Sequence, residues 1–289
     1  MKTVWLIIAA VLAVSLPGVL SAATAKRSDI LLYDAKPGEK IGDMRINPKD
    51  GAEMVWVPAG EFLMGSTDEQ VAEFDVEKPQ RIIYLDGYWI YKYPVTVAQY
   101  RKFCEDTDRS MPTAPNWGWK DDHPFVNISW QDAADYANWA RSSLPTEAQW
   151  EKAARGTDGR IHPWGNEWDA AKCANSVKKK LNSTQPVDSY PAGASPYGAM
   201  DMAGNVWEWC ADWYDPDYYK SAPKRNPTGP SAAVEFTVPG FQKVAPARAL
   251  RGGSWNFYCS GFNFRCAYRN SKSPNYSYNF VGFRCVSTP

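Results

Sequence analysis

Beyond Gly156 the sequence carries no run with the periodicity of a helix or a strand; Trp, Gly, Asn and Pro crowd it instead. Such a segment gains little from regular elements, so its backbone has to be held in loops by packed aromatic side chains. The composition fits: 14 Trp and 16 Tyr accompany 20 Gly and 22 Pro in 289 residues, 44% of them hydrophobic. The length suits one large domain or two small ones, with ample apolar material for a core. No internal repeat is seen.

The first half reads more regularly. Met54-Val55-Trp56-Val57 and Phe62-Leu63-Met64 resemble two short strands about Pro58-Ala59-Gly60, and Arg81 to Val95 alternates apolar and polar residues around Asp86-Gly87. Three helix starts follow, each a Ser or Thr with a residue three positions on that can reach back to the cap: Thr96 with Gln99, Ser129 with Asp132, Thr146 with Gln149. The third helix should run from Glu147 to Arg155 and stop at Gly156, a residue suited to a left-handed cap. The expected class is α+β, with little regular structure in the second half.

Met1-Lys2, the apolar run Val4 to Val14, Pro17-Gly18 and the small residues ending Ala23-Thr24-Ala25 read as a signal peptide over residues 1–25. It contains no cysteine for a lipid anchor, and no later stretch is apolar for long enough to span a bilayer. An exported protein, periplasmic or secreted and not membrane-spanning, is expected. Residues 26–50 are polar and punctuated by Pro37-Gly38 and Pro48, an extension leading into a domain over 51–287. Lys and Arg equal Asp and Glu at 32 each, which disfavours a nucleic-acid partner. The six cysteines (Cys104, Cys173, Cys210, Cys259, Cys266, Cys285) form no C-x-x-C, and His123 and His162 are the only histidines, so a zinc or two-histidine iron site is poorly supported.

Several motifs now combine. Val57-Pro58-Ala59-Gly60 with Met64-Gly65-Ser66, Pro94-Val95-Thr96, Pro124 to Trp130, Leu144-Pro145-Thr146-Glu147-Ala148-Gln149-Trp150-Glu151, Pro163-Trp164-Gly165-Asn166, Gly204-Asn205-Val206-Trp207-Glu208-Trp209 and Arg251-Gly252-Gly253-Ser254-Trp255 occur in one order. Together they resemble the formylglycine-generating enzyme, or sulfatase-modifying factor, family. The resemblance covers about residues 51 to 286 and implies a C-type-lectin-like variant of the α+β class. The family includes a copper oxidase that makes formylglycine, iron-dependent sulfoxide synthases, a pyoverdine-maturation oxidoreductase and retroelement-diversified binding proteins. The fold therefore leaves the activity open.

In the oxidase two thiolates hold Cu(I), a soft ion that selects sulfur. By the resemblance they lie at the second and seventh residues after Trp255, which here are Phe257 and Phe262. Cys259 and Cys266 are offset from those positions, so copper is disfavoured. Cys266 and Cys285 are read either as small buried residues or as a disulfide, and Cys210 as packed in a Trp-rich core. The resemblance also implies a structural Ca²⁺ loop with Asp201 and Glu208 as carboxylate ligands and Gly204 and Val206 as carbonyl ligands. A second family calcium site is not expected, because Lys178-Lys179-Lys180 stands near Asn175 where an acid would be needed.

Between Trp255 and Val281, Tyr, Phe, Asn, Ser and Gly mix as they do in an antibody paratope. Phe257, Tyr258, Ser260, Phe262, Phe264, Tyr268, Asn270, Tyr276, Tyr278 and Phe280 are the candidate ligand-binding residues, while Trp207, Trp209, Trp213 and Trp255 are expected in the core. Residues 256–264 and 275–280 are all reachable by adenine changes in asparagine codons ending in C or T, as in retroelement-diversified members; Lys272 is not. The expectation is a protein, glycan or small-molecule binder. The alternative is an oxidoreductase of the formylglycine-generating or pyoverdine-maturation type.

Overall fold

A computed structural model describes residues 30–32, 36–70, 75–177, 180–237, 243–258 and 261–289. The expected leader, residues 1–25, lies outside them, as do Lys178, Lys179, Cys259 and Ser260. No helix among the described residues is long and apolar enough to cross a membrane.

The three local start signals each open a helix. Thr96 caps α1 (Val97–Asp106) and Thr146 caps α3 (Glu147–Arg155), each in a full capping box in which the glutamine side chain returns to the threonine N–H. Ser129 opens α2 (Trp130–Trp139), its hydroxyl accepting from the Asp132 N–H. At the end of α3, Gly156 sits at φ 73°, and a Cβ there would come within 2.9 Å of Pro196. A fourth helix, α4 (Tyr218–Ser221), is a single turn.

The strands are β1 (Ile30–Leu32), β2 (Met44–Ile46), β3 (Glu53–Val57), β4 (Gly60–Met64), β5 (Arg81–Leu85), β6 (Tyr88–Tyr91), β7 (Trp207–Trp213), β8 (Phe236–Thr237), β9 (Lys243–Val244), β10 (Arg248–Arg251), β11 (Asn270–Lys272), β12 (Val281–Gly282) and β13 (Val286–Ser287). A five-stranded sheet runs β1-β2-β3-β6-β13 and a four-stranded one β11-β10-β7-β12; β4-β5 and β8-β9 form separate pairs. The strands flanking Pro58-Ala59-Gly60 therefore do not pair with each other: both edges of β3 are taken, by β2 and β6, and β4 turns to β5. The segment read as an extension contributes β1 and β2, and Arg45 within β2 and Asn47 and Asp50 after it are buried.

The second half holds the longest strand, β7, which sequence periodicity did not reveal. Its first four residues are all buried, so no alternation marks it. Trp207 and Trp209 join one core with Trp89, Tyr136 and Phe283, whereas Cys210 joins another with Trp150, Tyr88 and Ile90.

Buried ion pairs join these layers. On α3, Glu147, Glu151 and Arg155 recur every four residues, and all three are at most 1% exposed. Glu147 takes Arg269 in a two-bond fork (2.7 and 2.9 Å), Glu151 takes Arg155 at 2.8 Å and also Arg251, and Glu208 on β7 takes Arg284 in a fork (2.6 and 2.7 Å). Glu77 holds Arg265 in the same way (2.7 and 2.8 Å). Removing one member leaves the other charge buried and uncompensated. Glu151→Gln should therefore lower the unfolding free energy in urea by roughly 3–5 kcal/mol, and Arg251→Met should cost less in that background than in the native chain. Strictly additive losses would refute the coupling.

Candidate functional site

Trp207 of β7, 1% exposed, is the floor on which the carboxy-terminal aromatics assemble. Phe257 meets it edge-on at 5.7 Å and Tyr268 tilts over it at 5.9 Å, with Phe262 edge-on to Tyr268 at 5.2 Å. The chain reaches this place through Gly252 and Gly253, both at positive φ (99° and 78°). A Cβ at Gly253 would stand 2.9 Å from the Asn263 carbonyl and the Phe264 ring, so only glycine lets the two segments approach. The Phe257 carbonyl then accepts from the Ser176 N–H.

Tyr276, Tyr278 and Phe280 form a second group. Tyr276 and Tyr278 stack at 4.4 Å and 17°, and Phe280 lies 5.3 Å from Tyr278. The backbone under them is tethered: the Tyr278 carbonyl accepts from Asn127 and Val281, Phe280 from Trp207, Asn279 from the Trp255 indole, and Pro274 from Trp130. Tyr276, Phe280, Phe257 and Tyr268 all pack partly buried on the Trp207 core, whereas Tyr258 (61%) and Tyr278 (51%) are exposed. The expected ligand residues thus gather in two aromatic groups, Phe257, Phe262 and Tyr268 beside Trp207 and Tyr276, Tyr278 and Phe280 beside one another.

Others do not. Phe264 is fully buried and stacks on Trp168 at 5.0 Å, because the turn beginning at Gly261 rolls it inward; it is a core residue, not a ligand contact. Asn270 is half-buried on β11 and its side-chain oxygen accepts the Ser271 N–H. Ser260 lies outside the described residues. Of the four tryptophans expected in the core, Trp207, Trp209 and Trp255 are buried and Trp213 only half so.

Phe257 and Phe262, at the positions where the resemblance implies thiolates, carry no sulfur. Burial pushes the Cys266 thiol up to about 12 and holds Cys210 and Cys285 well above the ordinary thiol range. Cys266 and Cys285 are both free, so the disulfide alternative is corrected in favour of small buried residues.

The acidic turn has a divided character. Asp201 (φ 56°) is buried; its Oδ2 accepts from the Asn205 amide at 3.0 Å, while Oδ1 has no partner. Desolvation pushes its carboxyl up to about 7. An orphaned oxygen of this kind suits a hard cation. Glu208, expected as a second ligand, already gives both oxygens to Arg284 and Oε2 also to the Trp150 indole at 2.7 Å. It could join a cation only by sharing them.

Residues 40–289 match the family model described as a sulfatase-modifying factor enzyme 1-like domain. The formylglycine-generating enzyme of Streptomyces coelicolor is 33% identical over an alignment covering 83% of this chain and 90% of that protein. The hercynine oxygenase of Mycolicibacterium smegmatis is 31% identical, covering 70% and 54%. Among solved structures, PvdO from Pseudomonas aeruginosa superposes with a TM-score of 0.69 at 27% identity, covering 86% of this chain and 99% of that one.

Asp201 and Asp212 contribute to the pH response, opposed by His123 and His162, which burial holds below the ordinary imidazole range so that their contribution grows as pH rises. Burial pushes Asp212, which accepts the Glu147 N–H, up to about 8. Raised carboxyl values mean that the folded chain binds more protons than the unfolded one. Stability from these two groups is full near pH 4 and is lost as pH rises through 7 to 8. In chelator, Asp201→Asn should flatten that loss by on the order of 1 kcal/mol per pH unit, read from urea unfolding between pH 5 and 8. An unchanged slope would contradict it.

Proposed function

Given that this chain belongs to the sulfatase-modifying factor enzyme 1-like family, we propose that it is an exported, periplasmic or secreted, ligand-binding member whose site is the aromatic face over Trp207. The observation that carries this reading is the Tyr276–Tyr278 stack with Phe280, half open to solvent yet anchored through four backbone carbonyls to the scaffold. Rigid rings offer large contact area at low entropic cost. Sugar rings and the side chains of peptides are the partners such a surface accepts by stacking. Phe257 and Phe262 support the same reading, since two phenylalanines in place of two soft ligands replace copper affinity by apolar contact.

Structural calcium is part of the proposal. Asp201 would supply the first carboxylate and Gly204 and Val206 their carbonyls, with Glu208 sharing an oxygen already bonded to Arg284. Millimolar Ca²⁺ should raise the melting temperature of the native chain over its value in chelator and leave Asp201→Asn unmoved. An equal response from both proteins would remove Asp201 from any calcium site.

A second reading, oxidoreduction of the formylglycine-generating or pyoverdine-maturation type, is favoured by the 33% identity to the Streptomyces coelicolor enzyme. One experiment separates the two. Glycan and peptide arrays probed with the native chain should yield a ligand whose binding falls at least about tenfold in Tyr276→Ala and Tyr278→Ala. Stoichiometric Cu(I) binding with conversion of a Cys-x-Pro-x-Arg peptide, seen by mass spectrometry, would overturn the binding reading.

A further inference from the structure

From Phe236 to Pro289 the chain contains no Asp or Glu, yet seven Lys and Arg: Lys243, Arg248, Arg251, Arg265, Arg269, Lys272 and Arg284. Four of these, Arg251, Arg265, Arg269 and Arg284, are neutralised by glutamates from earlier in the chain. Among the described side chains, Arg248 and Lys272 remain without an acid.

These two are not scattered. The β10–β11 register sets Arg248 directly opposite Lys272, and the β10–β7 register sets Arg248 opposite Trp213, so the three form a row across one face of the sheet. Like charges directly opposed on antiparallel strands repel. Arg248 cannot turn away, because its guanidinium lies between two indoles, 3.6 Å from the Trp213 ring centroid and 3.7 Å from that of Trp130. Its Nη1 donates to the Ala211 carbonyl at 2.6 Å, its Nε is buried without a partner among the described residues, and its Nη2 makes no hydrogen bond to them. Lys272 places Nζ 5.4 Å over the Tyr276 ring, at the start of the aromatic ladder.

Nearby acids do not answer this charge. Asp212 faces Arg248, but it is buried, bonded to the Glu147 N–H and raised to about 8. On α2, Asp132 bonds Ser129 and Asp135 bonds Arg109 and Gln131. Desolvation, the largest influence on Arg248, outweighs the opposing pull of Asp212 and lowers it to about 10.

We propose that Arg248 and Lys272 form an oxyanion subsite, in which a sulfate, phosphate or carboxylate group bridges the free edge of the guanidinium and the lysine ammonium. A guanidinium stacked between aromatic rings keeps its edge presented for charge-assisted hydrogen bonds, and an arriving anion relieves the repulsion between the two cations. The remainder of the ligand would run along Tyr276 and Tyr278; for that remainder alone the inference rests on the aromatic-face reading.

The test uses the full chain with ¹⁵N-labelled tryptophan and follows the indole N–H resonances of Trp130 and Trp213. Sodium sulfate, phosphate and acetate are titrated separately at ionic strength held constant with chloride. At least one oxyanion should shift these resonances saturably, and the three titrations distinguish a tetrahedral anion from a carboxylate. Lys272→Ala, a change at a half-exposed strand position, should weaken the binding at least about tenfold, or 1.4 kcal/mol, and Arg248→Lys should do the same. No saturable shift beyond chloride, or an unchanged affinity in Lys272→Ala, would overturn the subsite. Tyr278→Ala should leave the simple anions bound as before. Anion binding with no array ligand would retire the aromatic reading and keep the subsite; an array ligand held equally well by Lys272→Ala would do the reverse.

Discussion

Everything in the second half of the molecule depends on buried glutamate–arginine pairs that reach across long stretches of chain. Arg269 finds Glu147 across 122 residues and Arg265 finds Glu77 across 188. Moving such ions out of water costs several kcal/mol each, and the forked, multiply bonded geometry is what offsets the cost. An alternative packing of the same loops would strand at least one charge, so the pairs select one arrangement of a backbone that has few regular elements to guide it. The aromatic and aliphatic burial on either side of β7 supplies the driving force, and the ion pairs tie the loops to that core.

That division explains why loops present a defined surface. Arg269 and Arg265 lie on either side of Tyr268, and Arg284 follows Phe280 by four residues; with these cations clamped, the rings between them have little freedom. The backbone carbonyls of residues 274 and 278 to 280 add bonds to α2, β7 and Trp255. A face built in this way is preorganised: the backbone under its rings is already fixed.

The sequence announced what is local and hid what is long-range. Helix starts at Thr96, Ser129 and Thr146 were legible because capping depends on residues three apart. β7 was not, because a strand covered on both faces shows no alternation. The spacing of Glu147, Glu151 and Arg155 was in plain view, but which distant arginines would meet them was not. The aromatic cluster is legible as a composition, and Tyr276, Tyr278 and Phe280 lie against one another. Phe264 went the other way because the left-handed turn at Gly261, a feature of backbone geometry and not of side-chain type, directs it inward.

The same charge accounting marks where scaffold ends and surface begins. A carboxy-terminal stretch of 54 residues without a single acid must borrow its counter-charges, and it borrows them for the arginines nearest the core. Arg248, on the inner strand β10, and Lys272, on the edge strand β11, receive π-faces and, among the described residues, no carboxylate. A π-face stabilises a cation without neutralising it. Positive potential is thereby carried to the rim of the aromatic ladder, while the equal numbers of Lys plus Arg and Asp plus Glu leave the chain as a whole uncharged.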